Sequence, residues 1–169
     1  MSGGVQVLAT LALSGVYTGS EAIGSLSDSF QEQVQVSLST GSGINAADTI
    51  WKSTRTLAAS ASENLDLNGV LADVFGSTVN LLRVKAIMIA AHATNTNGVV
   101  VGDASSNAWA TLLNGAGTVT LPPGAAFAAA TPDATGWVVT PATGDQLKVA
   151  NAGGSTSVTY DVLIIGAAE

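Results

Sequence analysis

Gln33-Val34-Gln35-Val36-Ser37-Leu38-Ser39 sets an apolar residue at every second position, with a polar one on either side of each. Successive side chains of an extended chain point to opposite faces, so this stretch reads as a strand with one buried face. The same period runs through Val5, Val7, Ala9, Leu11 and Leu13. Gly and Asn then punctuate the runs, at Gly41-Ser42-Gly43, 95–98, 114–117 and Gly153-Gly154, because both residues tolerate positive φ. Working outward on that pattern, strands are expected near 4–13, 32–39, 48–59, 79–91, 98–102, 107–112, 117–121, 125–130, 136–140, 146–150 and 156–166. Many short strands with regular punctuation imply an all-β sandwich or barrel. Pro122-Pro123-Gly124 and the segment 132–136 fit corners between strands, where the missing proline N–H costs nothing.

Two segments depart from the period. In Leu67-Asn68-Gly69-Val70-Leu71-Ala72-Asp73-Val74-Phe75-Gly76, residues Val70, Leu71, Val74 and Phe75 stand at helical spacing and Gly76 is a suitable stop. It is too short for an independent helix, so at most one short helical turn near 70–75 is expected. The Ser- and Gly-rich stretch 14–31 is expected to form an N-terminal arm or a long loop. No composition shift divides the chain, and its 169 residues suffice for one domain with its own core.

Charge is scarce. Five Lys and Arg and twelve Asp and Glu make 10% of the chain, against 47% hydrophobic residues and 19 glycines; soluble domains average about a quarter charged. A surface built from Ser, Thr, Asn, Ala and Gly suits a protein whose exterior is covered by other protein. The net charge of −7 argues against a nucleic-acid partner, since phosphate contacts need Lys and Arg. Without cysteine there is no disulfide and no thiolate metal site. The opening MSGGVQVLATLALSG lacks a basic n-region and alternates, so it reads as a strand rather than a signal peptide. The apolar run 84–91 is too short to span a bilayer. A soluble protein made in the cytoplasm, with no membrane partner, is expected.

Catalytic groups are few. His92 is the single histidine; it cannot form a two-histidine metal site, and a local hydrogen bond at a strand end is the expected role. Gly102-Asp103-Ala104-Ser105-Ser106 places serines beside an acid, but no base stands at fixed spacing, and a turn is expected. The carboxylates are dispersed and no phosphate-cradling glycine motif occurs. No catalytic residue, metal ligand or cofactor is assigned. Trp51, Trp109 and Trp137 fall within expected strands, where an indole is core or interface; Trp109 and Trp137 are the candidates for stacking on a sugar ring. Arg55, Arg83 and Lys85 lie on otherwise uncharged strands. They either guard sheet edges or pair with a partner subunit, and with Trp51 they are the candidate interface residues.

Asp48-Thr49-Ile50-Trp51 running into Thr54-Arg55-Thr56-Leu57, the segment 65–76, Val84-Lys85-Ala86-Ile87, Leu121-Pro122-Pro123-Gly124, Gly136-Trp137-Val138-Val139, Asp145-Gln146-Leu147-Lys148-Val149-Ala150-Asn151 and Tyr160-Asp161-Val162-Leu163-Ile164-Ile165-Gly166 together resemble small virion proteins of tailed bacteriophages. The resemblance spans roughly residues 45–166 and consists of strand and turn punctuation, with no chemical signature. It implies an antiparallel, jelly-roll-like β-sandwich that decorates or cements the capsid exterior. The implied partners are further copies of itself, as a trimer or dimer, and the major capsid protein. Similar sandwiches in phage tails and fibres imply the alternative, a module that binds host-surface glycan.

Overall fold

A computed structural model describes residues 4–169 of the chain. Its strands are β1 (Gln6–Glu21), β2 (Gly24–Thr40), β3 (Ala46–Ala47), β4 (Thr49–Leu57), β5 (Ser62–Asp66), β6 (Asn68–Ala72), β7 (Thr78–Asn80), β8 (Arg83–Ala91), β9 (Val99–Gly102), β10 (Thr118–Leu121), β11 (Ala126–Ala130), β12 (Trp137–Val138), β13 (Gln146–Asn151) and β14 (Val158–Ala167). The fold is all-β. One sheet runs β11-β8-β14-β4, with β12 also pairing with β8, beyond the residues that pair with β11; the other runs β10-β9-β13-β5. All pairings within these two sheets are antiparallel.

The connections define the architecture. The links β4 to β5, β8 to β9, β10 to β11 and β13 to β14 each join strands in opposite sheets, and the paired strands hold matching positions. Four strands face four in the wound order of a jelly roll. The period of two explains why the sheets face each other. Val158, Tyr160, Val162 and Ile164 of β14 turn one way, onto Leu147 and Val149 of β13 and Val99 and Val101 of β9, with Trp51, Leu57, Leu65, Ile87 and Ile89 completing the same buried cluster. Strand β8 is buried on both faces for much of its length, so its sequence reads as a continuous apolar run rather than an alternation.

Its second face packs against the root of a hairpin. Strands β1 and β2 pair in continuous antiparallel register from Gln6↔Ser39 to Glu21↔Gly24. The root lies on the outer face of the β11-β8-β14-β4 sheet, where Val5, Val36, Leu38, Ala47, Ala86 and Ile165 form a second buried cluster. Two hydrogen bonds clamp it. The Val5 amide donates to Thr40 Oγ1 at 2.8 Å, and the Thr40 hydroxyl donates to the Val5 carbonyl at 3.1 Å. A short parallel pairing of β2 with β3 ties the hairpin's exit into the body. Residues 14–31 are thus two long strands and a tight turn rather than a loop.

Elsewhere the structure corrects the local reading. Residues 68–72 are strand β6, and Asp73 closes the turn that follows by accepting the amides of Phe75 and Ser77, each at 2.8 Å. A short polar chain that satisfies backbone donors in a turn outcompetes a marginal helix, and the described residues contain no helix. The expected strand at 107–112 is absent. Ala108 makes a single bridge to Gln146, flanked by left-handed Asn107 (φ 50°) and, beyond a turn, Asn114 (φ 68°).

Candidate functional site

The register of the hairpin sorts its side chains into two unlike faces. Val7↔Leu38, Ala9↔Val36, Leu11↔Val34, Leu13↔Glu32, Gly15↔Phe30, Tyr17↔Asp28 and Gly19↔Leu26 lie on one face. Gln6↔Ser39, Leu8↔Ser37, Thr10↔Gln35, Ala12↔Gln33, Ser14↔Gln31, Val16↔Ser29 and Thr18↔Ser27 lie on the other. One face is therefore mostly apolar, interrupted by Glu32 and Asp28 of β2, and the other is mostly Ser, Thr and Gln. Only the root of the apolar face is covered. Beyond it Leu11 is 60% exposed, Leu13 65%, Tyr17 76%, Leu26 63%, Phe30 54% and Val34 65%.

At about 3.3 Å per strand residue, β1 is roughly 50 Å long, and the part beyond Thr10 projects some 36 Å from the body. Phe30 lies flat across Gly15, where an added Cβ would stand 2.8 Å from the ring. An aromatic laid over a strand glycine fills the gap that glycine leaves. Where the arm leaves the body it opens an apolar cleft of about 520 Å³, bounded above by Leu11 and Val34 and below by Met88, Ala128 and Leu163. Trp137 also borders this cleft.

Apart from Trp137, the residues singled out from the sequence lie elsewhere and are engaged within the chain. Trp51 and Trp109 are buried in the sandwich core, and the Trp109 indole N–H donates to the Val138 carbonyl at 2.9 Å. Neither offers a ring face to a partner or a sugar. Trp137 is half-buried against the same core.

Arg55, on the edge strand β4, donates through Nε to Glu63 Oε2 at 3.0 Å and makes a second contact through Nη2. Glu63 stands on β5, the matching edge of the opposite sheet, and its Oε1 accepts the Tyr160 hydroxyl at 3.0 Å. The hydrogen bond to Glu63 raises the Arg55 pKa despite partial burial. Burial, reinforced by the Glu63 carboxylate, pushes the Tyr160 phenol up, so it is a neutral donor. Arg55 is an inter-sheet staple.

Arg83 and Lys85 tie loops to the body. Arg83 Nη1 donates to the Ala134 carbonyl at 3.1 Å and more weakly to that of Ser42 at 3.4 Å. Lys85 is fully buried, and its ammonium donates to the carbonyls of Gly43, at 3.2 Å, and Asp133. Lys85 stands where the β14 register shifts from Ile165↔Ala86 to Gly166↔Val84, so it is the extra residue of a bulge. Bulges re-aim side chains. Burial, with Arg83 adding to it, lowers the Lys85 pKa, partly offset by Asp133.

His92 is held at 3.0 Å by Asp161 Oδ2, while Asp161 Oδ1 accepts the Thr54 hydroxyl at 2.5 Å. The Thr54 hydrogen bond, then His92, holds the Asp161 carboxyl below its usual range. The group is an exposed cross-strand ladder. Among the described residues, no three His, Cys, Asp or Glu side chains stand close enough to hold a metal ion, and no helix is long and apolar enough to cross a membrane.

The largest uncovered apolar surface described above is thus on the arm, which the sequence reading left undivided between arm and loop. Its signal was the continuation of the period through Leu26, Phe30 and Val34. Comparison with known proteins found no matching family model, no matching curated protein and no matching solved structure.

Proposed function

We propose that this protein is a non-enzymatic structural subunit of a phage virion. It acts as an oligomeric decoration or cement module that stabilises the capsid exterior through protein–protein contacts. The observation that carries this reading is the projecting arm, whose apolar face is continuous with the body's packing and then runs on uncovered. Exposed apolar patches beyond a few hundred Å² on a soluble protein mark interaction surfaces. The charge-poor exterior supports the same reading, because a flat contact with a shell buries few charges that would need pairing. Repetition over a lattice lets each contact be weak. The jelly-roll body supplies a rigid block with fixed edges.

The test is to add the purified protein to expanded heads assembled from the phage's major capsid protein. Saturable binding and a higher disruption temperature are expected. A protein that leaves the heads' disruption temperature unchanged and does not co-sediment with them is not a cement module.

A further inference from the structure

Beyond that reading, and resting on it only for the expectation of an oligomer, we propose that the occupant of the arm's bare face is the arm of a second copy. The two arms pack antiparallel, apolar face on apolar face. Area is the first argument. At roughly 100–200 Å² for each large side chain, Leu11, Leu13, Tyr17, Leu26, Phe30 and Val34 present on the order of 700 Å². Each partner in a stable interface buries about 800 Å².

Self-complementarity is the second argument, and the covered root sets the direction. A two-fold axis at the middle of the overhang, between the Gly15↔Phe30 and Tyr17↔Asp28 pairs, brings each pair onto a different pair of the partner. Gly15 then faces Tyr17 of the second copy, Leu13 faces Gly19, Phe30 faces Asp28 and Leu26 faces Glu32. Tyr17 and Leu13 meet glycines, Phe30 and Leu26 lie beside the carboxylates, and no carboxylate meets its own copy. A parallel arrangement would lay the root of the partner's arm where the body already covers Val36 and Leu38, so only the reversed direction leaves room. In a two-stranded ribbon no strand is central, so Asp28 and Glu32 on β2 stand at the rim and keep their water.

The cleft is the third argument. The antiparallel overlap brings the partner's turn, with fully exposed Ile23, over Leu11 and Val34. Those residues roof the 520 Å³ cleft at the root. Face and cleft are then filled by one movement.

The chain has no cysteine, so single introduced cysteines report the geometry. In the antiparallel dimer Tyr17 lies near its own copy, whereas Leu11 lies about 33 Å from its own along the arm. With a short bis-maleimide, Tyr17→Cys cross-links to itself and Leu11→Cys does not. Light scattering gives a dimer mass. A Leu13→Ser/Phe30→Ser protein dissociates about 100-fold more readily, while Val16→Ser on the polar face is unchanged. Fluorescence of buried Trp51 and Trp109 confirms that the body of each variant is folded.

A monomer at all concentrations, a trimer, or cross-linking at Leu11→Cys as strong as at Tyr17→Cys overturns the proposal. Head binding by such a protein would leave the virion reading intact. A well-formed arm dimer that ignores capsids would sink the virion reading alone.

Discussion

Replacing Glu63 by alanine tests whether the two sheets are pinned at their matching edges by one carboxylate. In the folded chain Glu63 accepts Arg55 on one oxygen and the Tyr160 hydroxyl on the other. Tyr160 is fully buried. Glu63→Ala leaves its hydroxyl without a partner, which costs about 1–3 kcal/mol. Loss of the half-exposed ion pair adds about 0–1 kcal/mol. The expected total is about 1–4 kcal/mol, which for a chain of this size lowers the Tm by roughly 2–16 °C. Tyr160→Phe removes the hydroxyl instead of orphaning it and leaves Arg55 paired, so its cost is about 1 kcal/mol. The double variant is the decisive one. With no hydroxyl to orphan, it loses less than the sum of the singles, with a coupling of about 1–2 kcal/mol. Urea unfolding followed by tryptophan fluorescence measures all three. Additivity within about 0.5 kcal/mol would falsify the pin.

Three further outcomes follow from the geometry. A Cβ on Gly166 would stand 2.1 Å from the Arg83 carbonyl, so Gly166→Ala destabilises by roughly 3 kcal/mol or more in a urea melt. Gly19→Ala, with open space around it, is neutral or slightly stabilising, and similar midpoints for the two would refute the steric argument. On the acid side, backbone amides of Gly136 and Thr135 hold Asp133 below the usual carboxylate range, and Thr54 and His92 do the same for Asp161. Their stabilisation is present above about pH 4 and is lost as pH falls through the lowered folded-state values. Asp161→Asn therefore flattens the acid limb of the stability curve; an unchanged acid limb contradicts it. Lys85→Met frees the carbonyls of Gly43 and Asp133, so hydrogen exchange accelerates around 41–45 and 131–136 while the sandwich strands stay protected. Uniform acceleration over the whole chain would show instead that Lys85 supports the global fold.

Much of the sandwich was legible because its strands keep one wet face. Val158, Tyr160, Val162 and Ile164 alternate with half-buried Thr159, Asp161 and Leu163, and the period shows through. Where that contrast fails, so does the reading. Strand β5 (Ser62–Asp66) carries a single fully apolar side chain, Leu65, because its other inward position is Glu63, whose partners come from distant strands. In β1 and β2 the Ser and Gly of residues 14–31 left an arm and a long loop both open. Yet every second residue from Leu26 to Leu38 belongs to one face, on which only Asp28 and Glu32 are polar. The basic residues were noticed for their rarity, but rarity does not distinguish a staple within the chain from a contact outside it. Arg55 meets Glu63 and Lys85 meets two carbonyls because the topology folds distant segments together. Spacing along the chain carries no trace of that.

The root of the arm explains how so exposed a ribbon can serve as an interface. An isolated two-stranded hairpin is marginal in water, and a tether that orders only on contact gives up binding energy to conformational entropy. Here Val36 and Leu38 are anchored under Ala86 and Ile165, Thr40 bonds Val5 twice, and β3 pairs with the exit of β2. The direction of the arm is therefore set by the body before any partner arrives. What stays uncovered is the distal face, and on β1 its reversal sets Leu13 and Tyr17 against Gly19 and Gly15 of a second copy. A surface shaped for an unrelated partner has no reason to be complementary to itself under a two-fold rotation. One selected for assembly with copies of the same chain does, and that difference makes a second copy the strongest reading of what covers the arm.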